Sequence, residues 1–344
     1  MTSGPDRPRV VVSCRVFPET LDLLAERCEV IANQTGEALP PGTLRERCRT
    51  ADALMAFMPD SIDAAFLDAC PDLRVIGCAL KGFDNFDVAA CTDRGVWVSI
   101  VPDLLTEPTA ELAVGLMIGI GRNVTAGDRL VRSGFAGWRP VLYGTGLADS
   151  VVGIVGMGRV GEAIAERLQG FRATVLYYDA VRVTEEKEQR LGLTYTGLRP
   201  LAGESDFVVA ALPLTAETHH MIGAEFIGAM KKGALLVNPA RGSVVDEEAV
   251  AGALDAGRLG GYAADVFAFE DWALPGRPQR IPKELLYDRE RTLFTPHIGS
   301  AVIDVRRAIE RDAALNILEA LDGGTPHGAI NIVRRRADAR GAAG

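Results

Sequence analysis

No two cysteines in this chain are spaced C-x-x-C, and all six (Cys14, Cys28, Cys48, Cys70, Cys78 and Cys91) fall in its opening stretch. A disulfide scaffold or a zinc site built from clustered Cys and His is thereby excluded, which leaves reduced, partly buried thiols. Long apolar runs are missing too. The segment VVVSC near the N-terminus meets Arg15 at once, too short for a signal-peptide core. Leu112–Ile120 falls far below the about 20 residues that a bilayer helix needs. A cytoplasmic protein with no membrane partner is the expectation. Nor is there an excess of cations. With 37 Lys and Arg against 46 Asp and Glu, the net charge is −9, and the bulk field opposes nucleic acid. An anionic substrate would need a local basic pocket.

What is present fits an ordinary soluble enzyme of 344 residues, 48% of them hydrophobic, enough for about two domains. Short β-like runs alternate with helical stretches over the first hundred residues: strands at Val10–Ser13, Val30–Ala32, Ala53–Phe57, Arg74–Gly77 and Val96–Ser99, with helices between them. A long helical stretch is expected from about Pro108 to Arg132. A second series follows, with strands at Val151–Val155, Thr174–Tyr178, Phe207–Ala210, Leu235–Asn238 and Tyr262–Asp265. Such alternation predicts an α/β chain with two Rossmann-like domains, each a parallel, doubly wound sheet. A last helix is expected over Val302–Leu321.

The second series opens on a dinucleotide fingerprint. The strand Val151–Val155 runs into Gly156-Met157-Gly158-Arg159-Val160-Gly161 and then a helix. The first glycine makes a tight turn, the second lets backbone approach a pyrophosphate, and the third lets helix and strand pack closely. Asp179, at the end of the next strand, suits the adenosine ribose hydroxyls and repels a 2′-phosphate, which points to NAD rather than NADP. Arg182 nearby leaves some NADP use open. Pro213 and Asp265, at later strand ends, complete the expected cofactor set with Arg159 and Val160.

Only four histidines are available for proton transfer. His327 lies near the tail and reads as a surface residue, and His219 and His220 read as solvated or hydrogen-bonding. His297, in Thr295-Pro296-His297-Ile298-Gly299-Ser300, follows a strand end, where ligands bind in a doubly wound sheet. Glu270 lies just past another strand, and a carboxylate on Nδ1 would fix the tautomer and orient the ring. Arg241, past a third strand, offers a planar fork for two oxygens of an oxyanion. Three strand-end loops supplying Arg, Glu and His form a candidate catalytic set.

These motifs, GMGRVG, NPARGSVVDEEA, the Asp265-to-Glu270 segment and TPHIGS, resemble the D-2-hydroxyacid dehydrogenase family in order and spacing across nearly the whole chain. The resemblance implies a nucleotide domain, 104–297, inserted into a discontinuous substrate domain, 1–103 with 298–335, and a tail, 336–344, expected to be disordered. It implies the Arg–Glu–His set facing nicotinamide in a cleft, and a homodimer with the long helix at its interface. A narrower likeness, to the phosphonate (phosphite) dehydrogenases, rests on Met55–Asp60, GCALKGFDNFD, GWRPVLYGTGL and ADVFAFEDWA. Ala240 departs from it. By that likeness Lys81 binds the oxyanion, while Met58, Trp138, Tyr143 and Arg306 line or shape the pocket. Phosphite would then be oxidised to phosphate by water attack, with hydride passing to NAD and His297 as the base.

Two rivals share the scaffold. A D-2-hydroxyacid dehydrogenase or glyoxylate/hydroxypyruvate reductase would use the same cofactor and triad, with His297 exchanging a proton with the substrate oxygen. An NAD-sensing corepressor like the C-terminal binding proteins would need no tuned site.

Overall fold

A strand buried on both faces must be apolar at every position, and Ala53-Leu54-Met55-Ala56 shows it: all four are fully buried. Leu54 and Ala56 enter one core while Ala53 and Met55 enter another, as the two-residue period of a strand requires. The computed structural model describes residues 7–333, and these divide into two compact units, 7–105 with 302–333 and 106–301. The tail 336–344 lies outside the described residues.

In the first unit, the elements run β1 (Arg9–Val12), α1 (Pro18–Ala25), β2 (Glu29–Ala32), α2 (Pro41–Cys48), β3 (Ala53–Ala56), α3 (Ala64–Ala69), β4 (Val75–Cys78), α4 (Val88–Asp93) and β5 (Trp97–Ser99). The five strands form one parallel sheet in the order β2-β1-β3-β4-β5. The order reverses between β1 and β3, so a crevice opens beyond the carboxyl ends of those two strands. The sequence reading placed all five strands but missed α4, which is six residues long and held by an Asp87 side chain capping the Ala90 N–H. All six cysteines are free and belong to this unit. Burial raises the Cys14 and Cys70 thiols to about 11 and Cys91 to about 12.

The second unit begins with α5 (Thr106–Gly121) and α6 (Val124–Arg132). One continuous helix was expected here. The chain instead turns at Asn123, which adopts the left-handed conformation at φ 53°, and Asn tolerates that better than most residues. Then come β6 (Val151–Val155), α7 (Arg159–Leu168), β7 (Thr174–Tyr178), α8 (Glu185–Leu191), β8 (Leu193–Tyr195), α9 (Leu198–Glu204), β9 (Phe207–Ala210), α10 (Ala224–Ala229), β10 (Leu235–Asn238), α11 (Glu247–Asp255), β11 (Gly261–Ala264), α12 (Lys283–Tyr287) and β12 (Thr292–Phe294). Seven parallel strands form the order β12-β11-β10-β9-β6-β7-β8, with one core under α5 and α7 and another under α9 to α11. The switch point falls between β6 and β9. The chain then returns to the first unit as α13 (Ile303–Leu321), which packs on β3 and β4 so closely that a Cβ at Gly77 would meet Ile317 at 2.5 Å. No helix among the described residues is long and apolar enough to cross a membrane.

Candidate active site

The loop after β6 is shaped by glycines that nothing else could replace. Gly156 has φ 102°, and a Cβ there would lie 2.5 Å from the Ala211 carbonyl oxygen beyond β9. At Gly161 a Cβ would sit 2.2 Å from the Gly156 oxygen, so helix and turn can only close with glycine. Gly158, by contrast, faces open space within 4 Å and caps α7, leaving the first helical N–H groups toward a region where a pyrophosphate can approach. Arg159 and Val160 open that helix. The cradle therefore fits a dinucleotide. Pro213 is exposed in the loop after β9, where its carbonyl accepts from Thr218 Oγ1 at 2.6 Å.

Asp179 follows β7 and is half-buried. Its Oδ2 accepts from Met157 N–H at 2.7 Å and its Oδ1 from Val181 N–H at 3.1 Å, so the carboxylate is tied to the glycine turn itself. Arg182, the residue that left NADP use open, is engaged elsewhere. Its guanidinium donates twice to Glu188 at 2.8 Å, and Glu188 also accepts from the Tyr177 hydroxyl at 2.7 Å. The Arg182 and Tyr177 bonds together hold Glu188 at about 2, well below the usual carboxylate range.

His297 lies past β12 with φ 54°, a left-handed backbone that is uncommon for any residue but glycine. Asp265, beyond β11 and 1% exposed, holds it there. Its Oδ1 accepts from Thr295 Oγ1 at 2.6 Å and Ile298 N–H at 2.8 Å, and its Oδ2 from Gly299 N–H at 2.8 Å. This organising task was not read from the sequence, which took Asp265 only as a cofactor residue. Glu270 closes a short 3-10 turn, Ala268–Glu270; its Oε1 accepts from Phe267 N–H at 2.9 Å and its Oε2 stands 2.7 Å from His297 Nδ1. An ionised carboxylate only accepts, so Nδ1 carries the hydrogen and Nε2 is left for chemistry.

Arg241 follows β10 in extended conformation, its carbonyl held by the Asn238 side chain at 2.9 Å. The next residue, Gly242, lies so near the Glu270 turn that a Cβ would fall 1.9 Å from the Phe267 carbonyl carbon. Ser243 N–H then donates to Asp271 at 2.7 Å. The arginine loop and the glutamate turn are thus stitched together. Trp138 and Tyr143, expected at the substrate pocket, are 86% and 82% exposed on the loop after α6. His219 and His220 stack at 4.0 Å on the exposed loop after β9. His327 is exposed, as a surface reading expects, but bonds Glu319 and Asp312, and those carboxylates raise it above the usual imidazole range against the opposing effect of burial.

In the first unit, Ser13 Oγ donates to the buried Asp60 at 2.5 Å, and Phe57 N–H donates to the same oxygen at 2.8 Å, across the switch point between β1 and β3. Burial pushes Asp60 up to about 6. That turn carries Met58, whose carbonyl accepts from the Asn85 amide at 3.1 Å, so it is also tied to the loop after β4 that holds Lys81. Arg306 on α13 donates to the Ala79 carbonyl at 3.4 Å and lies over the Phe57 ring at 5.8 Å. Met58, Lys81 and Arg306 therefore belong to one end of one sheet.

Comparison with known proteins decides the family. The profile described as "D-isomer specific 2-hydroxyacid dehydrogenase, NAD binding domain" matches residues 114–299. The chain belongs to this family. It is similar to a glyoxylate reductase of Thermofilum pendens, 38% identical over 94% of this chain and 95% of that one, and to one of Thermococcus litoralis, 34% identical over 94% and 97%. Among solved structures it is similar to an NADPH-dependent glyoxylate/hydroxypyruvate reductase from Sinorhizobium meliloti in complex with NADP and malonate. That match has 28% identity, covers 96% of this chain and 99% of that one, and gives a TM-score of 0.80. The family enzymes are oxidoreductases, and this member binds NAD.

The expectation of phosphite oxidation is overturned by these relatives, which match nearly the full length and are named for glyoxylate. Its basis was Lys81 and a few short runs. A lysine or an arginine holds a carboxylate as readily as a phosphite, since both are small oxyanions, so those residues never separated the two substrates.

The Sinorhizobium neighbour was solved with NADP, which makes Asp179 testable in this dehydrogenase. Replacing Asp179 with Ser removes the anion opposing a 2′-phosphate. The NADP-to-NAD ratio of kcat/KM, taken from initial rates, is expected to rise about tenfold, or 1.4 kcal/mol. An unchanged ratio would assign cofactor choice to the Arg182–Glu188 pair instead.

Proposed function

We propose that this enzyme reduces a small 2-oxo acid of the glyoxylate class to the corresponding 2-hydroxy acid with NADH. The observation that carries the reading is the 2.7 Å His297–Glu270 pair, beside a loop that presents Arg241. Arg241 holds the substrate carboxylate with two parallel N–H bonds. The bound nicotinamide supplies hydride to the carbonyl carbon. His297 Nε2–H gives its proton to the carbonyl oxygen as the negative charge grows there, and Glu270 stabilises the imidazolium before that transfer and fixes its direction. The balance is one hydride and one proton added across C=O.

The test is loss of NADH absorbance with glyoxylate and hydroxypyruvate, run beside NADH formation from NAD and phosphite. Turnover of the oxo acids supports the reading; turnover with phosphite alone sinks it.

We further propose a homodimer, supported by an apolar run that the single chain leaves open to water. Val131, Phe135, Trp138, Leu142 and Tyr143, on α6 and the loop after it, are 42–86% exposed. Sedimentation should give twice the 36.7 kDa chain mass. Replacing Trp138 and Tyr143 with Ser should shift it toward a monomer, and a wild-type monomer at micromolar concentration would refute the proposal.

A further inference from the structure

An acidic residue in the first turn of a helix ordinarily faces water, where the helix N-terminus stabilises its charge. Glu247 opens α11 yet is only 5% exposed. Its Oε1 accepts from the Ala268 N–H at 2.8 Å, and its Oε2 is buried with no hydrogen-bond partner. The preceding amide, that of Phe267, donates to Glu270 at 2.9 Å. Two consecutive N–H groups of one turn are therefore held by two carboxyl groups. One of these, Glu270, carries His297, while the other reaches the turn from α11.

We propose that Glu247 is a positioning residue for the Glu270–His297 pair, acting through the Ala268 amide. The proposal rests on the reading of His297 as proton donor. The Ala268–Glu270 turn has only three residues; Phe267 and Phe269 pack into the core and Ser243 N–H holds Asp271 just beyond it, and within that frame the Ala268 amide is held by Glu247. Without an acceptor, the buried Ala268 N–H would be left unpaired or the turn would rotate toward another partner, and Glu270 would move with it.

The chemistry of the surroundings dictates the form Glu247 takes. Glu270 in the turn, Asp271 just beyond it and Glu248 beside Glu247 all oppose a charge on Glu247, and the Tyr262 phenol on β11 senses the same group. Burial first, then these carboxylates, raise Glu247 to about 7 against the pull of the Ala268 bond. As a neutral acid it still accepts through its carbonyl oxygen, without a further negative charge beside Glu270. Because its folded value lies above its ordinary 4.5, the stability it confers is complete below about pH 4.5 and is lost as pH rises through about 7.

Two variants of the full-length enzyme separate these roles. Glu247→Gln keeps an oxygen acceptor that cannot ionise, and Glu247→Ala removes the acceptor. The first readout is the downfield His297 Nδ1–H resonance in nitrogen-15-histidine protein, identified by its loss in His297→Asn and needing no substrate. The second is kcat and KM from about pH 6 to pH 8.5. In Glu247→Ala the resonance should broaden or vanish and kcat fall roughly 10- to 100-fold, with KM changed less than about twofold. Glu247→Gln should keep both, and its Tm should fall less than that of the wild type between about pH 6 and pH 8.5. An Ala variant with an unchanged resonance and rate would overturn the proposal, as would a Gln variant that behaves like Ala. If Glu247→Ala does not fold, Glu247→Leu fills the same space without an acceptor, and an unchanged resonance and rate in that variant overturn the proposal. Should His297→Asn keep full glyoxylate turnover, the functional reading fails, and the resonance still decides whether Glu247 holds the pair.

Discussion

Replacing His297 with Asn should lower kcat for glyoxylate reduction by about 10²- to 10⁴-fold, the range that a positioned general acid contributes. Asn is the substitution that isolates the proton. It tolerates the left-handed backbone that His297 adopts at φ 54°, so the turn should survive the change. Its side-chain amide can still donate toward Glu270, while Nε2, the proposed proton donor, is gone. The Asp265 bonds to Thr295, Ile298 and Gly299 involve no His297 side-chain atom and should persist. NADH affinity should change little, because the glycine turn and Asp179 lie on other loops. Measured together, kcat and the NADH dissociation constant give a clean outcome. Full activity would remove His297 from the chemistry, whereas lost NADH binding would mean that the Asp265-ordered turn had collapsed.

The residues around His297 show how far a sequence carries and where it stops. Strand-end positions for Arg241, Glu270 and His297 follow from alternation of strand and helix, because ligands gather at the carboxyl ends of a parallel sheet. The glycine turn is similarly legible, since close approaches such as Gly161 to the Gly156 oxygen admit no other residue. Elements of three to seven residues, such as β8, α4 and α9, escaped because they are too short to show a period. The break at Asn123 escaped because one left-handed residue does not interrupt an apolar pattern. Glu247 was hidden more deeply. The string Asp246-Glu247-Glu248 reads as the ordinary acidic start of a helix, and only the fold shows that the middle residue turns inward.

Substrate identity failed for a different reason. The sequence places cations and a proton carrier, and those satisfy any small oxyanion beside a reducible or oxidisable centre. Whether the anion is a carboxylate or a phosphite depends on its shape and on fractions of an ångström in loop position. A few matching runs around Lys81 cannot fix such distances, whereas the relatives that match 94% of the chain are named as glyoxylate reductases.

Arg241 is where that oxyanion chemistry can be measured. Its side chain is half-buried, its backbone extended and held by Asn238, and the Gly242 contact with Phe267 leaves the loop no room to shift. Substitution at 241 should therefore change the fork and its 2.9 Å bond to the Ala240 carbonyl while the backbone stays in place. Lysine keeps the positive charge but loses the two parallel N–H groups, and hydrogen bonds to a charged group are worth about 2–3 kcal/mol, so kcat/KM for glyoxylate should fall roughly 30- to 150-fold in Arg241→Lys. Gln removes the charge as well and should fall further. Because the carboxylate is bound in both ground and transition states, most of the Lys effect should lie in KM. A loss confined to kcat would mean that Arg241 acts on the developing oxyanion of the carbonyl instead of on the carboxylate. An unchanged KM and kcat in both variants would leave the substrate anion to be held from outside this loop.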